Sequence, residues 1–179
     1  MVIAYWLIPT EPARSYLQNL IKNLAERYAA PEFEPHVTVH VGVDRADKVA
    51  EVLASSAQQS KRITLQVLDV SNSSEFIKTL FVMFAASVPL KRLNQSIRKA
   101  AQDSSTYQLN PHLSLLYKNM SPAARHGLTR SIQVPFTEVT FNRLKAVRCV
   151  SPTKSRADVK AWHAIAATPL SATDNVTIQ

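Results

Sequence analysis

The sequence predicts a mixed α+β fold with largely antiparallel sheets. Short β-branched and apolar runs alternate with stretches of helical period. Neighbouring strand-like runs are joined by short polar turns suited to hairpins, and few connections are long enough for parallel crossovers.

Residues 2–8 are β-branched and aromatic, as in a buried strand. Thr10 and Pro12 then mark a helix start, and Tyr16, Leu17, Leu20, Ile21, Leu24 and Tyr28 recur at helical spacing. Pro31 and Pro35 end that element. Residues 36–43 read as a strand, because Val37, Thr38, Val39 and Val41 are β-branched. Asp44 suits the N-cap of a helix presenting Val49, Leu53 and Ala57. Strands over 62–70 and 76–86 flank a polar turn at 71–74 and form a hairpin. Pro89 opens a third helix that buries Leu90, Leu93, Ile97 and Ala100. Pro111 precedes a strand over 112–117. Ser121 and Pro122 start a short helix ending near Gly127. Strands over 137–150 and 159–168 close the pattern around a loop with Pro152 and Lys154. Residues 1–170 are expected to form one domain, and 171–179 a polar tail.

Composition excludes several function classes. The chain has 179 residues, 46% hydrophobic and 19% charged, enough for a real core. Its two glycines, Gly42 and Gly127, are far apart. Glycine-rich phosphate loops need several glycines within a few residues, so Walker and dinucleotide loops are excluded. The single Cys149 excludes a disulfide framework and CxxC sites. The first apolar run stops at Pro9, too short for a signal peptide or a membrane span. A soluble, cytoplasmic, monomeric protein is therefore expected. The formal net charge of +8 draws phosphate-bearing partners, small nucleotides or RNA ends, although it equally serves solubility.

One short pattern occurs twice. Pro35-His36-Val37-Thr38-Val39 and Pro111-His112-Leu113-Ser114-Leu115 share the order proline, histidine, apolar, hydroxyl, apolar. From this composition a single copy arises by chance in roughly one chain per hundred, and two far more rarely. Strand alternation sets His36 and Thr38 on one face, and His112 and Ser114 likewise. Opening a cyclic phosphodiester needs a base for water and an acid for the departing oxygen. Histidine serves either role near neutral pH, and adjacent hydroxyls can bond the phosphate oxygens without a metal.

Other readings of these histidines are open at this stage. A histidine on an apolar strand is often a satisfied core residue. His40 shares the alternation of His36, so it can line the rim or complete a three-nitrogen metal site with His36 and His112. No HExxH pattern or nearby acidic ligand supports the metal. His126 and His163 read as structural. Arg143 and Lys145 share a strand face and suit either a diphosphate or a solvated edge; Lys78 and Arg62 are similar.

The residues resemble the two-histidine (2H) phosphoesterases, and within them the cyclic phosphodiesterases of plant and yeast type. The resemblance rests on residues 31–38, Pro-Glu-Phe-Glu-Pro-His-Val-Thr, and 111–117, Pro-His-Leu-Ser-Leu-Leu-Tyr, with Trp6 three positions before Pro9. Element order matches over roughly 2–168. The resemblance implies a bilobal fold, two pseudo-symmetric lobes each with an antiparallel sheet and outer helices around a central cleft.

It further implies His36 and His112 as the catalytic pair and Thr38 and Ser114 as phosphate-binding hydroxyls. Tyr117 would line the phosphate pocket and Trp6 would stack on a base, with no metal and no cofactor. The implied reactions are hydrolysis of ADP-ribose 1″,2″-cyclic phosphate and opening of nucleoside 2′,3′-cyclic phosphates to 2′-phosphates. Relatives act on cyclic RNA ends. A silent RNA- or nucleotide-binding module on the same scaffold is the alternative outside enzymes. By strict alternation Tyr117 falls one register off the His112 and Ser114 face, so it reaches the pocket only if the strand ends or bulges there.

Overall fold

The computed structural model describes residues 1–171, so the tail expected over 171–179 lies outside the described residues from 172 onward. Its strands are β1 (Val2–Pro9), β2 (Val37–Val43), β3 (Ile63–Asn72), β4 (Leu80–Phe84), β5 (His112–Leu116), β6 (Glu138–Cys149) and β7 (His163–Pro169). The helices are α1 (Ala13–Tyr28), α2 (Val49–Gln58), α3 (Val88–Ala100), α4 (Pro122–Ser131) and α5 (Arg156–Lys160). The expected mixed, antiparallel character holds for every named strand pair.

The strands run in the order β1-β2-β5-β4-β3-β6-β7, and β6 also pairs with β1. The twelve-residue β6 serves both halves of this sheet. Its first residues pair with β3 and its later ones with β7, while β1 takes its other edge. One half is thus β2-β1-β6-β7, the other β5-β4-β3. They meet a second time at a narrow seam, where β2 and β5 share the single pair Val37↔Leu113.

Alternation along β1 explains why it is buried on both faces. Ile3, Tyr5 and Leu7 enter the main core with Val37, Leu113, Leu144 and the inner faces of the helices. Ala4, Trp6 and Ile8 join Val147 and Cys149 in a smaller apolar cluster on the opposite side. Helix α1 buries Leu17, Ile21 and Leu24, and α3 buries Leu90, Leu93 and Ile97, both at the spacing the sequence shows.

Several boundaries differ from the sequence reading, each for a local reason. Asp44 caps no helix: its carboxylate pairs with Arg148 of β6 at 2.5 Å, and a 3₁₀ turn, Ala46–Lys48, leads into α2. Residues 76–78 form another 3₁₀ turn before β4 instead of extending that strand. Helix α4 passes Gly127 and ends at Ser131; a Cβ at Gly127 would meet nothing within 4 Å, so this glycine sits on an open helix face. The run from residue 159 divides into the end of α5 and β7, because the Ser155 hydroxyl accepts the Asp158 amide and starts a helix.

Candidate active site

Both motif histidines follow a proline, and each stands at the start of its strand. The His36 Nδ1–H donates to the Glu34 carbonyl at 2.7 Å, and the His112 Nδ1–H donates to the Asn110 carbonyl at the same distance. A carbonyl can only accept, so each Nδ1 carries the proton and each Nε2 presents its lone pair elsewhere. The two copies therefore orient their imidazoles by the same backbone device, two residues upstream.

The seam brings the copies together. In an antiparallel ladder centred on Val37↔Leu113, His36 falls opposite Ser114 and Thr38 falls opposite His112. Directly opposed side chains have Cβ atoms about 5 Å apart. Val37 and Leu113, both fully buried, point the other way and pin the seam to the core. A cavity of about 530 Å³ opens over this face; His36, Thr38, His112, Ser114, Tyr117 and Trp6 all line it. All six residues singled out from the sequence are thus gathered around one space.

The rings differ in setting. His36 is buried, its ring stacked on Trp6 at 3.7 Å with planes 12° apart, and Phe33 and Trp162 present their edges to it. Burial pushes its pKa down to about 4, opposed by the Glu34 carbonyl and assisted by the nearby His112 charge. His112 is half-buried, with Phe81 edge-on at 5.5 Å. Burial also lowers its pKa; the Asn110 carbonyl opposes this, and Lys78 adds to it.

The hydroxyls are held differently. Ser114 donates to the Ile77 carbonyl at 2.8 Å, tying β5 to the turn before β4. Tyr117 stacks on Phe33 at 3.8 Å, and its buried phenol lies beside the Ser114 hydroxyl, its pKa pushed up by burial. The condition set by strict alternation is met: β5 shifts register against β4 between the Leu80↔Leu116 and Phe81↔Ser114 pairs, then ends at Leu116. Trp6 lays one ring face on His36, so an imidazole occupies that face.

His40 does not share the cavity, contrary to simple alternation from His36. β2 carries an extra residue where Tyr5↔His40 is followed by Trp6↔Thr38. That bulge turns His40 to the other side, fully buried, with Nε2 2.7 Å from Asp103 Oδ2. The three-histidine metal arrangement is therefore not assembled. Among the described residues no group of three or more His, Cys, Asp or Glu side chains is placed to hold a metal ion. Lys145 is not open to a diphosphate either, since it pairs with Glu34 at 2.5 Å. His126 and His163 are exposed.

Sequence reasoning missed part of the cavity wall. Tyr107, Trp162, the turn at Glu75, Phe76 and Ile77, and the segment from Cys149 to Lys154 complete it. Tyr107 was the legible signal, as an aromatic residue in an otherwise polar stretch, whereas Trp162 sits in a run that reads simply as strand.

Over residues 1–170 the chain matches the family model described as cyclic phosphodiesterase-like protein. The chain belongs to that family. It is a phosphodiesterase of the cyclic phosphodiesterase type. The cyclic phosphodiesterase of Arabidopsis thaliana is 22% identical over 169 residues, covering 92% of this chain and 93% of the plant protein. Solved structures show the same fold. Escherichia coli LigT complexed with 3′-AMP aligns with a TM-score of 0.58 at 13% identity, covering 94% of this chain and 97% of LigT. The TT0787 protein of Thermus thermophilus aligns with a TM-score of 0.61 at 14% identity, covering 97% and 100%. Among the described residues no helix is long and apolar enough to cross a membrane.

Proposed function

We propose that this family member opens 2′,3′-cyclic phosphates of small nucleotides to 2′-phosphates, and the 1″,2″-cyclic phosphate of ADP-ribose to the 1″-phosphate. The observation that carries the reading is the seam register, which sets each motif histidine across from the other motif's hydroxyl around one cavity. Its volume of about 530 Å³ falls in the range that encloses a nucleotide-sized ligand. The LigT structure of the same fold was solved in complex with 3′-AMP, which supports a nucleotide as the class of ligand.

The chemistry follows from the two free Nε2 atoms. His112, the less buried ring, accepts a proton from a water whose oxygen attacks phosphorus. The phosphorus–oxygen bond to the leaving ribose oxygen breaks on the opposite side. Protonated His36 gives its Nε2 proton to that oxygen. Burial keeps free His36 neutral, so the bound phosphate anion must raise its pKa before it can act as the acid. Thr38 donates to a non-bridging oxygen, where charge accumulates, and Ser114 does so by turning its one O–H from the Ile77 carbonyl to the phosphate. No metal enters any of these steps. Trp6, Trp162 and Tyr107 form the aromatic side of the cavity, suited to a base or ribose.

A product assay tests this reading. With EDTA present, 2′,3′-cyclic AMP should yield 2′-AMP, and ADP-ribose cyclic phosphate should yield the 1″-phosphate. Activity abolished by the chelator, or a 3′-phosphate product, contradicts it. The +8 charge favours a second reading, action on the cyclic ends of RNA. An RNA-end enzyme should show higher kcat/KM on an oligonucleotide than on a mononucleotide, and a steep loss with salt. Binding without turnover of any cyclic phosphate would instead mark a silent module.

A further inference from the structure

The segment between α3 and β5 has no helix or strand beyond its first turn, yet it delivers one residue, Tyr107, to the cavity. It carries Tyr107 into the wall and runs directly into His112. Packing alone does not hold it. A second cavity of about 380 Å³, lined by Gly42, Val43, Ser105, Thr106 and Tyr107, lies beside it, and Tyr107, Val41 and Val2 line both spaces. Tyr107 is thus part of a thin partition with room on either side.

Polar tethers fix that partition to β2. Asp103 accepts from His40 Nε2–H at 2.7 Å, from the Ser105 hydroxyl at 2.5 Å and from the Ser105 amide at 3.3 Å. The Ser105 hydroxyl also lies 3.1 Å from the Val41 carbonyl. Arg98 donates to the Ser105 carbonyl. On the far side of His40, Asn94 lies 3.4 Å from Nδ1 and donates to the Val39 carbonyl at 2.8 Å. The His40 ring meets Tyr107 edge-on at 5.5 Å, and the Tyr107 hydroxyl donates to the Thr38 carbonyl at 3.1 Å. Gly42 is required by the arrangement, since a Cβ there would come within 2.8 Å of Asp103 Oδ2.

We propose that the buried His40–Asp103 pair is a positioning device for substrate binding. It holds the 103–111 segment on β2 so that Tyr107 braces Thr38 and closes one wall of the active cavity. The pair touches neither the reacting phosphorus nor the catalytic rings; it sets the shape of the space around them. The inference rests on the cavity being the substrate site.

The test measures KM and kcat for 2′,3′-cyclic AMP, Kd for 2′-AMP by calorimetry, and amide hydrogen exchange over 103–111. His40→Leu, Ser105→Ala and Tyr107→Phe are compared with the conservative His40→Gln, whose amide can still donate to Asp103. His40→Leu should raise KM and Kd about tenfold, the loss of roughly one buried hydrogen bond, with kcat within threefold. Exchange over 103–111 should quicken at least tenfold. His40→Gln should stay within threefold on every measure. Ser105→Ala and Tyr107→Phe, which keep the buried histidine, should each raise Kd severalfold and decide the matter if His40→Leu does not fold. Unchanged Kd and exchange in folded His40→Leu, or a fall in kcat at constant KM, overturns the proposal. If the unaltered chain binds 2′-AMP but opens no cyclic phosphate, the functional reading fails while the Kd ratios still judge this inference.

Discussion

Val37 and Leu113 pair across the seam between β2 and β5, the one residue pair joining these two strands. Both are fully buried, and by alternation their neighbours His36, Thr38, His112 and Ser114 project to the opposite face. The apolar residue between histidine and hydroxyl in each motif thus registers the active site against the core. Leu113→Ala should cost about 2–5 kcal/mol of stability and lower kcat as the seam loosens. Urea unfolding paired with steady-state kinetics checks both. Loss of stability with unchanged kcat would show that the seam does not govern the site.

Acid should destabilise the fold through His36. Its folded pKa of about 4 lies below the unfolded value of 6.5. Between those values the unfolded chain binds a proton that the folded chain does not, so stability falls as pH drops from 6.5 toward 4. The full difference is on the order of 3 kcal/mol from this residue, and His112 and His40, also lowered chiefly by burial, act in the same direction. His36→Phe should flatten the decline in urea midpoint between pH 7 and pH 4.5. An equally steep decline would place the acid sensitivity elsewhere.

Glu34 links charge to catalysis. Its carboxylate is held by Lys145 at 2.5 Å and by Arg14 at 3.2 Å, while its carbonyl orients His36. Glu34 raises the His36 pKa and Lys145 lowers it. Lys145→Met should therefore move the alkaline limb of the kcat profile, where the acid His36 loses its proton, to higher pH, and Glu34→Gln should move it to lower pH. Shifts in the same direction for both variants would contradict this arrangement.

Ser114 does two things through one oxygen. It donates to the Ile77 carbonyl at 2.8 Å and lies on the cavity wall with the Tyr117 phenol beside it. Ser114→Ala should reduce kcat/KM about 10- to 100-fold and loosen the Phe76–Lys78 turn, whereas Thr38→Ser, which keeps its hydroxyl, should stay within a few-fold. A Ser114→Ala enzyme with full activity would remove Ser114 from phosphate binding.

Much of this site was legible in the sequence because the motif repeats and strand alternation is a rigid rule. His36, Thr38, His112 and Ser114 share a face as alternation requires. What escaped reading were departures from regular pairing. The extra residue in β2 sends His40 to Asp103, a partner sixty-three positions along the chain that no local pattern marks. Only the resemblance assigns Tyr117 to the cavity; alternation allows it there only if the strand ends or bulges, and β5 both shifts register against β4 and ends at Leu116. Helix boundaries slipped where a side chain had a distant partner, as Asp44 does in Arg148. The short helix Arg156–Lys160 reads as loop up to residue 158 and as strand from 159, because one turn of helix is too short to show a helical period.

The paired imidazoles are tested most directly by the rate of 2′,3′-cyclic AMP opening in His36→Ala, His112→Ala and the double variant. Each single change should reduce kcat about 10²- to 10⁴-fold, and the double should be little worse than the poorer single, because acid and base act in one displacement. Folded single variants that turn over the cyclic nucleotide at the unaltered rate would contradict the account.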